Sequence, residues 1–358
     1  MSEKLRCVLI GCGRISAKHI EALGTSTDVE LVGVSDLIPG RLEKAAAASG
    51  ARPFSNHLEM VQTLKPDIVS VLTESGSHAR IACEVVPYTK NIVVEKPMAL
   101  TLDDADRMID TCDRAGASLF VVKQNRYNRP VVKLRHALEV GRFGKLTLGT
   151  VRVRWCRPQQ YYDQDAWRGT WKDDGGVFAN QASHHVDLLQ WMMGPVESVQ
   201  AYTATRLVNV EVEDTGLAIL KFTSGALGVV EATNTARPKD LEGSISILGE
   251  RGAVVIGGFA VNKVETWNFD TAAPDDENFE EWSQNPPNVY GLGHMEFYKD
   301  IISCIRNRQR AMLDGLEGRK SLELIIAIYQ AAATRREVRL RYIPEGVPLG
   351  IGFAGSEK

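Results

Sequence analysis

Short β-branched apolar runs recur through the first third of the chain, each followed by a helical period. Positions 5–10, 30–35, 68–72, 92–94 and 118–122 are largely apolar on successive residues. Such runs mark strands buried on both faces of a parallel sheet. Between them, helices are predicted through His19, Ile20 and Leu23, from Pro39 onward, over 58–64 and over 79–86. Thr101 caps another that reaches Cys112, with Asp104 completing a box-like start. This alternation predicts a doubly wound α/β domain over residues 1–123.

The period changes after Arg129-Pro130. A helix over 131–140 closes at Gly141. Positions 146–155 then alternate, with Val151, Val153 and Trp155 set against Thr150, Arg152 and Arg154, as in a half-buried strand. Runs at 196–203, 215–222, 226–232, 243–249 and 253–256 keep that period, with short turns. They predict an α+β domain over 124–343 with a mostly antiparallel sheet. Helices cover one face, and the other is free to pack against a second copy. Helices at 293–306 and 317–333 end the ordered chain. An acidic, proline-bearing loop is expected over 270–287, and a glycine-rich mobile tail over 344–358.

Composition excludes some function classes. A length of 358 residues suits two domains. A net charge of −3 gives no general attraction to nucleic acid or acidic membrane, so neither is an expected partner. The first residues lead straight into a strand, with no secretory apolar segment, and no run is long enough to span a bilayer. The six cysteines are scattered without a C-x-x-C pair. They read as free thiols in a reducing cytoplasm, with no disulfide framework and no metal site.

Candidate chemistry gathers at the strand ends, where open α/β sheets bind ligands. The first strand runs into Gly11-Cys12-Gly13-Arg14-Ile15-Ser16, a G-x-G-x-x-S turn that opens a helix. Gly11 permits the tight turn. Gly13 lets a pyrophosphate approach the backbone at the helix N-terminus, beside Arg14 and Ile15. Ser16 stands where such turns carry Gly or Ala, and it is small enough for close packing. Asp36 ends the second strand. A carboxylate there accepts from ribose hydroxyls and repels a 2′-phosphate, which favours NAD over NADP. The plainer alternative for Asp36 is a cap on the next helix. Thr73, Ser75 and His78 follow the third run, and Glu95-Lys96-Pro97 the fourth. Gln124 follows the last. His78 is as readily a helix-start cap, and Glu95-Lys96 as readily a solvated ion pair.

In the second domain a helix is expected from Gly175-Gly176 to Met193. It puts Asn180, His184, Asp187 and Leu188 on one side, a polar stripe on an otherwise apolar helix. His185 points away from that stripe. The stretch 155–172 holds Arg157, Tyr161, Tyr162, Trp167 and Arg168, and a second basic loop holds Asn234, Arg237 and Lys239. Aromatic faces stack on sugars and bases, and guanidinium forks pair with phosphate or carboxylate. One anionic, partly flat substrate accounts for both loops. A packed loop or a subunit contact is the alternative.

The glycine turn, Glu95-Lys96-Pro97, the Gly175-Gly176…His184…Asp187 block and the closing Asp314-Gly315…Ser321-Leu322-Glu323 stretch resemble the Gfo/Idh/MocA oxidoreductase family, in family order and over nearly the whole chain. The resemblance implies a Rossmann domain followed by an open-faced mixed sheet, often tetrameric through that sheet. It implies that Lys96 and His184 flank the nicotinamide of NAD and the reacting carbinol. Asn180 stands where many members carry aspartate, which removes a carboxylate partner of the histidine.

Lys123-Gln124-Asn125-Arg126, Arg157-Pro158-Gln159-Gln160-Tyr161-Tyr162, Trp167-Arg168-Gly169-Thr170-Trp171 and Asn180-Gln181-Ala182-Ser183-His184 are similar to the WlbA/WbpB group of that family. Those enzymes use NAD to oxidise the 3″-hydroxyl of UDP-N-acetylglucosaminuronic acid, on the way to a diacetamido uronic acid of surface polysaccharide. The likeness implies a UDP-sugar held by Lys96, Lys123, Arg157, Tyr161, Tyr162, Trp167 and Arg168. Asn180, His184, Asn234, Arg237 and Lys239 would complete that site, with Lys96, His184 and Asn180 carrying the chemistry. A free-sugar, inositol or dihydrodiol dehydrogenase of the same family is the alternative enzyme. A regulator that binds NAD without catalysis is the alternative from another class.

Overall fold

The computed structural model describes residues 3–273, 276, 279, 283, 291 and 293–340. The tail expected over 344–358 and most of the loop expected over 270–287 lie outside these residues. No helix among the described residues is long and apolar enough to cross a membrane.

The first unit runs β1 (Leu5–Ile10), α1 (Ser16–Gly24), β2 (Val29–Ser35), α2 (Pro39–Ser49), β3 (Arg52–Phe54), α3 (His57–Leu64) and β4 (Ile68–Val71). It continues with α4 (His78–Val85), β5 (Asn91–Val94), α5 (Leu102–Ala115) and β6 (Ser118–Val121). The sheet is parallel throughout, in the order β3-β2-β1-β4-β5-β6. Both faces are covered, which explains the unbroken apolar runs. Val8, Ile10, Val69 and Ile92 pack to one side, and Cys7, Leu9, Ile68 and Val93 to the other. The strand order reverses between β1 and β4, so their carboxyl ends open a crevice. β3 escapes the sequence pattern because it is a three-residue edge strand with Pro53 at its centre.

The second unit runs α6 (Arg129–Glu139), β7 (Leu146–Arg154), α7 (Gln159–Tyr162), α8 (Ser183–Met193), β8 (Val196–Ala204) and β9 (Thr215–Phe222). Then come β10 (Leu227–Thr233), β11 (Glu242–Gly249), β12 (Gly252–Gly257), β13 (Lys263–Phe269), α9 (Gly293–Asn307), α10 (Gly315–Thr334) and β14 (Val338–Arg339). Its eight strands lie in the order β13-β12-β11-β7-β10-β9-β8-β14. Only the β7–β10 pair is parallel among them. Residues of α6, α8 and α10 share one core with one face of this sheet. A Cβ at Gly149 would sit 2.7 Å from Met193 and 2.8 Å from Leu189, so glycine is what lets α8 lie this close to β7. Tyr202, Leu217, Ile219 and Leu227 remain exposed.

Two features depart from the sequence reading. The helix expected from Gly175 starts only at Ser183, and residues 175–182 form tight turns. Their amides bond elsewhere: Gly176 N donates to Tyr329 Oη at 3.0 Å, Phe178 N to Glu213 Oε1 at 3.1 Å and Val177 N to the Glu213 carbonyl at 3.1 Å. Partners that compete for amides in this way keep a helix from starting. The second departure is α9. Phe297, Tyr298 and Ile301 pack beneath the first sheet with Leu9, Ile68 and Val93, so the chain returns to its first unit late.

Candidate active site

The β1–α1 turn forms one wall of the crevice. Gly11 has φ +98°, and a Cβ there would meet the Leu72 backbone carbon at 2.7 Å. A Cβ at Gly13 would meet nothing within 4 Å, because that side of the turn is open. No side chain caps α1, which leaves its N-terminus available to an anion. Asp36 accepts from Cys12 N and Ile38 N, each at 2.7 Å, and so stands fixed beside the turn. A cleft of about 1160 Å³ runs past Gly13, Arg14, Ile15, Asp36 and Thr73. Asp165, Trp167 and Arg168 of the second unit face it, and Asp165 pairs with Arg41 across it. Open glycine, uncapped helix and anchored carboxylate together fit a dinucleotide.

Farther in, the strand ends are tied together. His78 is buried, with its ring nitrogens 2.9 Å from the Pro97 carbonyl and 3.0 Å from the Thr73 carbonyl. It therefore joins the end of β4 to the Lys96-Pro97 loop. Ser75 is buried in the short turn before α4, where the Thr73 and Ser77 hydroxyls bond at 2.7 Å. Glu95 is not half of a solvated ion pair. Its Oε1 lies 2.9 Å from His19 Nε2 and 3.7 Å from His294 Nε2, and its Oε2 accepts from Lys96 N at 2.9 Å. Burial opposes the charge on Glu95, yet His19 and His294 hold its carboxyl well below the usual range. Ligand-type atoms of His19, Glu95 and His294 lie within 4.8 Å of one another, a grouping their scattered positions did not suggest.

Lys96 leaves β5 toward the second unit, where its Nζ donates to the Asn180 carbonyl at 2.8 Å. Lys96 and His184 line one small cavity of about 10 Å³, with Lys123, Ser183 and Ser321. His184 is buried, and its Nε2 has no hydrogen-bond partner. Burial, reinforced by the Lys96 ammonium, keeps this imidazole well below its usual range, hence neutral near pH 7. Burial also pulls Lys96 down, with help from Arg157 and Arg168, against the pull of Glu95 and Asp174. His185 turns into the core, its ring edge-on to Trp155.

The polar stripe read from the sequence divides here. Asp187 pairs with Lys123 and, through both oxygens, with Arg126 at 2.8 Å, and it reaches His184 through its charge. Lys123 is thus buried between Asp187 and Ser321, so its ammonium is occupied although the residue lines the cavity. Asn180 lies ahead of α8, and its amide donates to Asp174. Gln124 is buried, its Oε1 without a partner.

The aromatic and basic loops form a rim. Arg168 packs over Tyr161 and Trp167 and donates to Tyr161 Oη at 2.8 Å. Arg157 lies over Trp155 and Tyr161 and donates to Asp240 at 2.8 Å. Tyr162 is buried and accepts from Asn234 at 2.9 Å. Arg237 spends its guanidinium on the Asn234 and Ala236 carbonyls, and Lys239 is exposed beyond it. The sequence reading missed Asp174, His19, His294 and Asp165. Each is an isolated polar residue whose partner lies far along the chain, except Asp174, which sits in an ordinary-looking Asp-Asp-Gly-Gly turn.

Comparison with known proteins agrees with this geometry. Residues 5–123 match the model of an oxidoreductase family's NAD-binding Rossmann fold, and residues 135–340 match that family's C-terminal alpha/beta domain. The chain is similar to the WlbA dehydrogenase from Bordetella pertussis in complex with NADH and UDP-GlcNAcA. The two are 46% identical, over 96% of this chain and 99% of that one, with a TM-score of 0.92. The WlbA of Chromobacterium violaceum, also with NADH and UDP-GlcNAcA, is 44% identical over 96% and 98%, with a TM-score of 0.90. A myo-inositol 2-dehydrogenase of Thermotoga maritima is 27% identical, over 95% of this chain and 99% of its own length.

Proposed function

The chain belongs to the Gfo/Idh/MocA oxidoreductase family, and from that premise we propose that it oxidises the 3″-hydroxyl of UDP-N-acetylglucosaminuronic acid with NAD. The observation that carries this reading is the approach of Lys96 to the Asn180 turn, beside the buried, unbonded His184, at the meeting of the two units. NAD supplies the hydride acceptor. Gly11, Gly13, Arg14, Ile15 and Asp36 hold it along the crevice, with Thr73, Ser75, His78, Glu95 and Gln124 at the strand ends beyond. The Lys96 ammonium hydrogen-bonds the reacting oxygen and offsets its developing negative charge. The neutral His184 Nε2 accepts the hydroxyl proton, an assistance worth ~10²–10⁴-fold. Asn180 fixes Lys96 through its carbonyl.

The rim suits the rest of the substrate. Tyr161 and Trp167 offer flat faces, and Arg157 and Arg168 offer forks for diphosphate or carboxylate. Lys123, Tyr162, Asn234 and Arg237 support the rim and cavity from behind, and Lys239 adds charge outside. The similarity to two WlbA structures holding UDP-GlcNAcA favours this substrate over inositol. In this reading the enzyme is cytoplasmic and serves surface-polysaccharide synthesis. It is a tetramer, closing the face that exposes Leu217, Ile219 and Leu227.

The test is NADH formation with UDP-N-acetylglucosaminuronate, UDP-N-acetylglucosamine and myo-inositol in turn. The expected order puts the uronate far ahead. Faster turnover of myo-inositol would transfer the site to the inositol dehydrogenases, and bound NAD that no substrate reduces would favour the non-catalytic regulator.

A further inference from the structure

We propose that Asp174 is the working carboxylate of this active site, a positioning residue that acts through Asn180 and balances charge around Lys96 as His184 takes up a proton. The proposal rests on hydroxyl oxidation by Lys96 and His184. Asp174 is wholly buried in the turn ahead of Asn180. Its Oδ2 accepts from Gly169 N at 2.7 Å, and its Oδ1 accepts from the Asn180 amide. Asn180 presents its backbone carbonyl to Lys96 Nζ at 2.8 Å. One residue thus binds the carboxylate with its side chain and the ammonium with its backbone.

Two other buried acids nearby are committed. Glu95 serves His19 and Lys96 N, and Asp187 serves Lys123 and Arg126. Glu213 receives Tyr329 Oη at 2.9 Å and Phe178 N at 3.1 Å on one oxygen, and its Oε2 has no partner among the described residues; Asp174, not Glu213, is the acid joined through Asn180 to Lys96. Asp174 is held by amide donors, which keep it in place without cancelling its charge. The groups that face it electrostatically are Lys96 and Arg168, which favour its ionised form, and Glu213 and Tyr162, which disfavour a second negative charge beside it. Burial pushes its carboxyl up to about 6. A proton gained by His184 lands beside an ammonium, and a nearby anion lowers that cost. Asp174 supplies an anion at Lys96, in addition to those that Glu95 and Asp187 offer His184.

The test compares wild type, Asp174→Asn and the exchange Asp174→Asn/Asn180→Asp, which keeps an acid–amide pair but moves the charge. Asp174→Asn is expected to lower kcat by at least about tenfold while KM for NAD and sugar stays within about threefold. It should also remove the acid limb that a carboxyl titrating near 6 gives the kcat–pH profile. The exchange is expected to recover most of the lost kcat. An unchanged pH profile in Asp174→Asn, or an exchange no better than the single variant, overturns the proposal.

The substrate reading is judged on the wild-type rate alone, and Asp174 on ratios between variants. If wild type prefers myo-inositol, the ratios are taken on myo-inositol. If it oxidises neither compound, an unfolding cycle decides, using Asp174→Asn, Lys96→Met and the double variant without substrate. The double variant should lose less in unfolding midpoint than the singles summed, by at least about 2 °C. Additive losses would overturn the coupling.

Discussion

Lys96 Nζ donates to the Asn180 carbonyl at 2.8 Å, joining the end of β5 to the turn that precedes α8. That bond spans the two units, and Lys96 and His184 line the same small cavity. The backbone behind it is held in turn by Glu95, which accepts from Lys96 N and meets His19 at 2.9 Å. Lys96 is therefore held from both domains, its backbone from the first and its ammonium from the second.

The two glycines of the β1–α1 turn should separate stability from cofactor binding. Gly11→Ala forces φ +98° on a β-carbon only 2.7 Å from the Leu72 backbone, and is expected to cost about 1–3 kcal/mol of stability. Gly13→Ala meets no atom within 4 Å, so its unfolding midpoint should match wild type. Its NAD affinity should fall at least about tenfold, because the methyl occupies the open side of the turn. Denaturation and NADH-fluorescence titration on both variants check the contrast.

The fold was legible because each domain repeats one hydrophobic period. Buried parallel strands read as unbroken apolar runs in the first domain, and half-buried strands as alternation in the second. The site was legible where chemistry falls at strand ends, as with Lys96, Asp36 and the glycine turn. It was not legible where long-range partners decide. Nothing local to Gly175–Ala182 reveals that Glu213 and Tyr329 will take its amides. Nothing near Asp187 reveals that Lys123 and Arg126 will take its two oxygens. His294 reaches Glu95 only because α9 folds back beneath the first sheet.

Arg168 should discriminate between nucleotide sugars and free polyols. It packs over Tyr161 and Trp167 at the rim, and its charge also reaches Lys96 and Asp174. Arg168→Ala is expected to raise KM for UDP-N-acetylglucosaminuronate at least about tenfold, as loss of a charge-assisted pair implies. A rise in KM larger than the accompanying fall in kcat is the expected pattern in initial-rate kinetics.

Glu213 should destabilise the enzyme as pH rises. Burial raises its carboxyl from the usual 4.5 to about 7. A folded-state pKa above the unfolded one gives stability that is full below pH 4.5 and is lost as pH rises through 7. Glu213→Gln removes that slope. Against wild type, the variant's urea midpoint should therefore improve steadily between pH 4.5 and 7.5, read by fluorescence at intervals across that range.

The most direct measurement is kcat for UDP-N-acetylglucosaminuronate in wild type, Lys96→Ala and His184→Ala, followed by NADH formation. Wild type should turn over readily. Lys96→Ala should lose about 10²–10³-fold, as removal of an oxyanion donor does. His184→Ala should lose at least about tenfold, with NADH still binding both variants. Turnover near the wild-type rate in both variants would contradict the account.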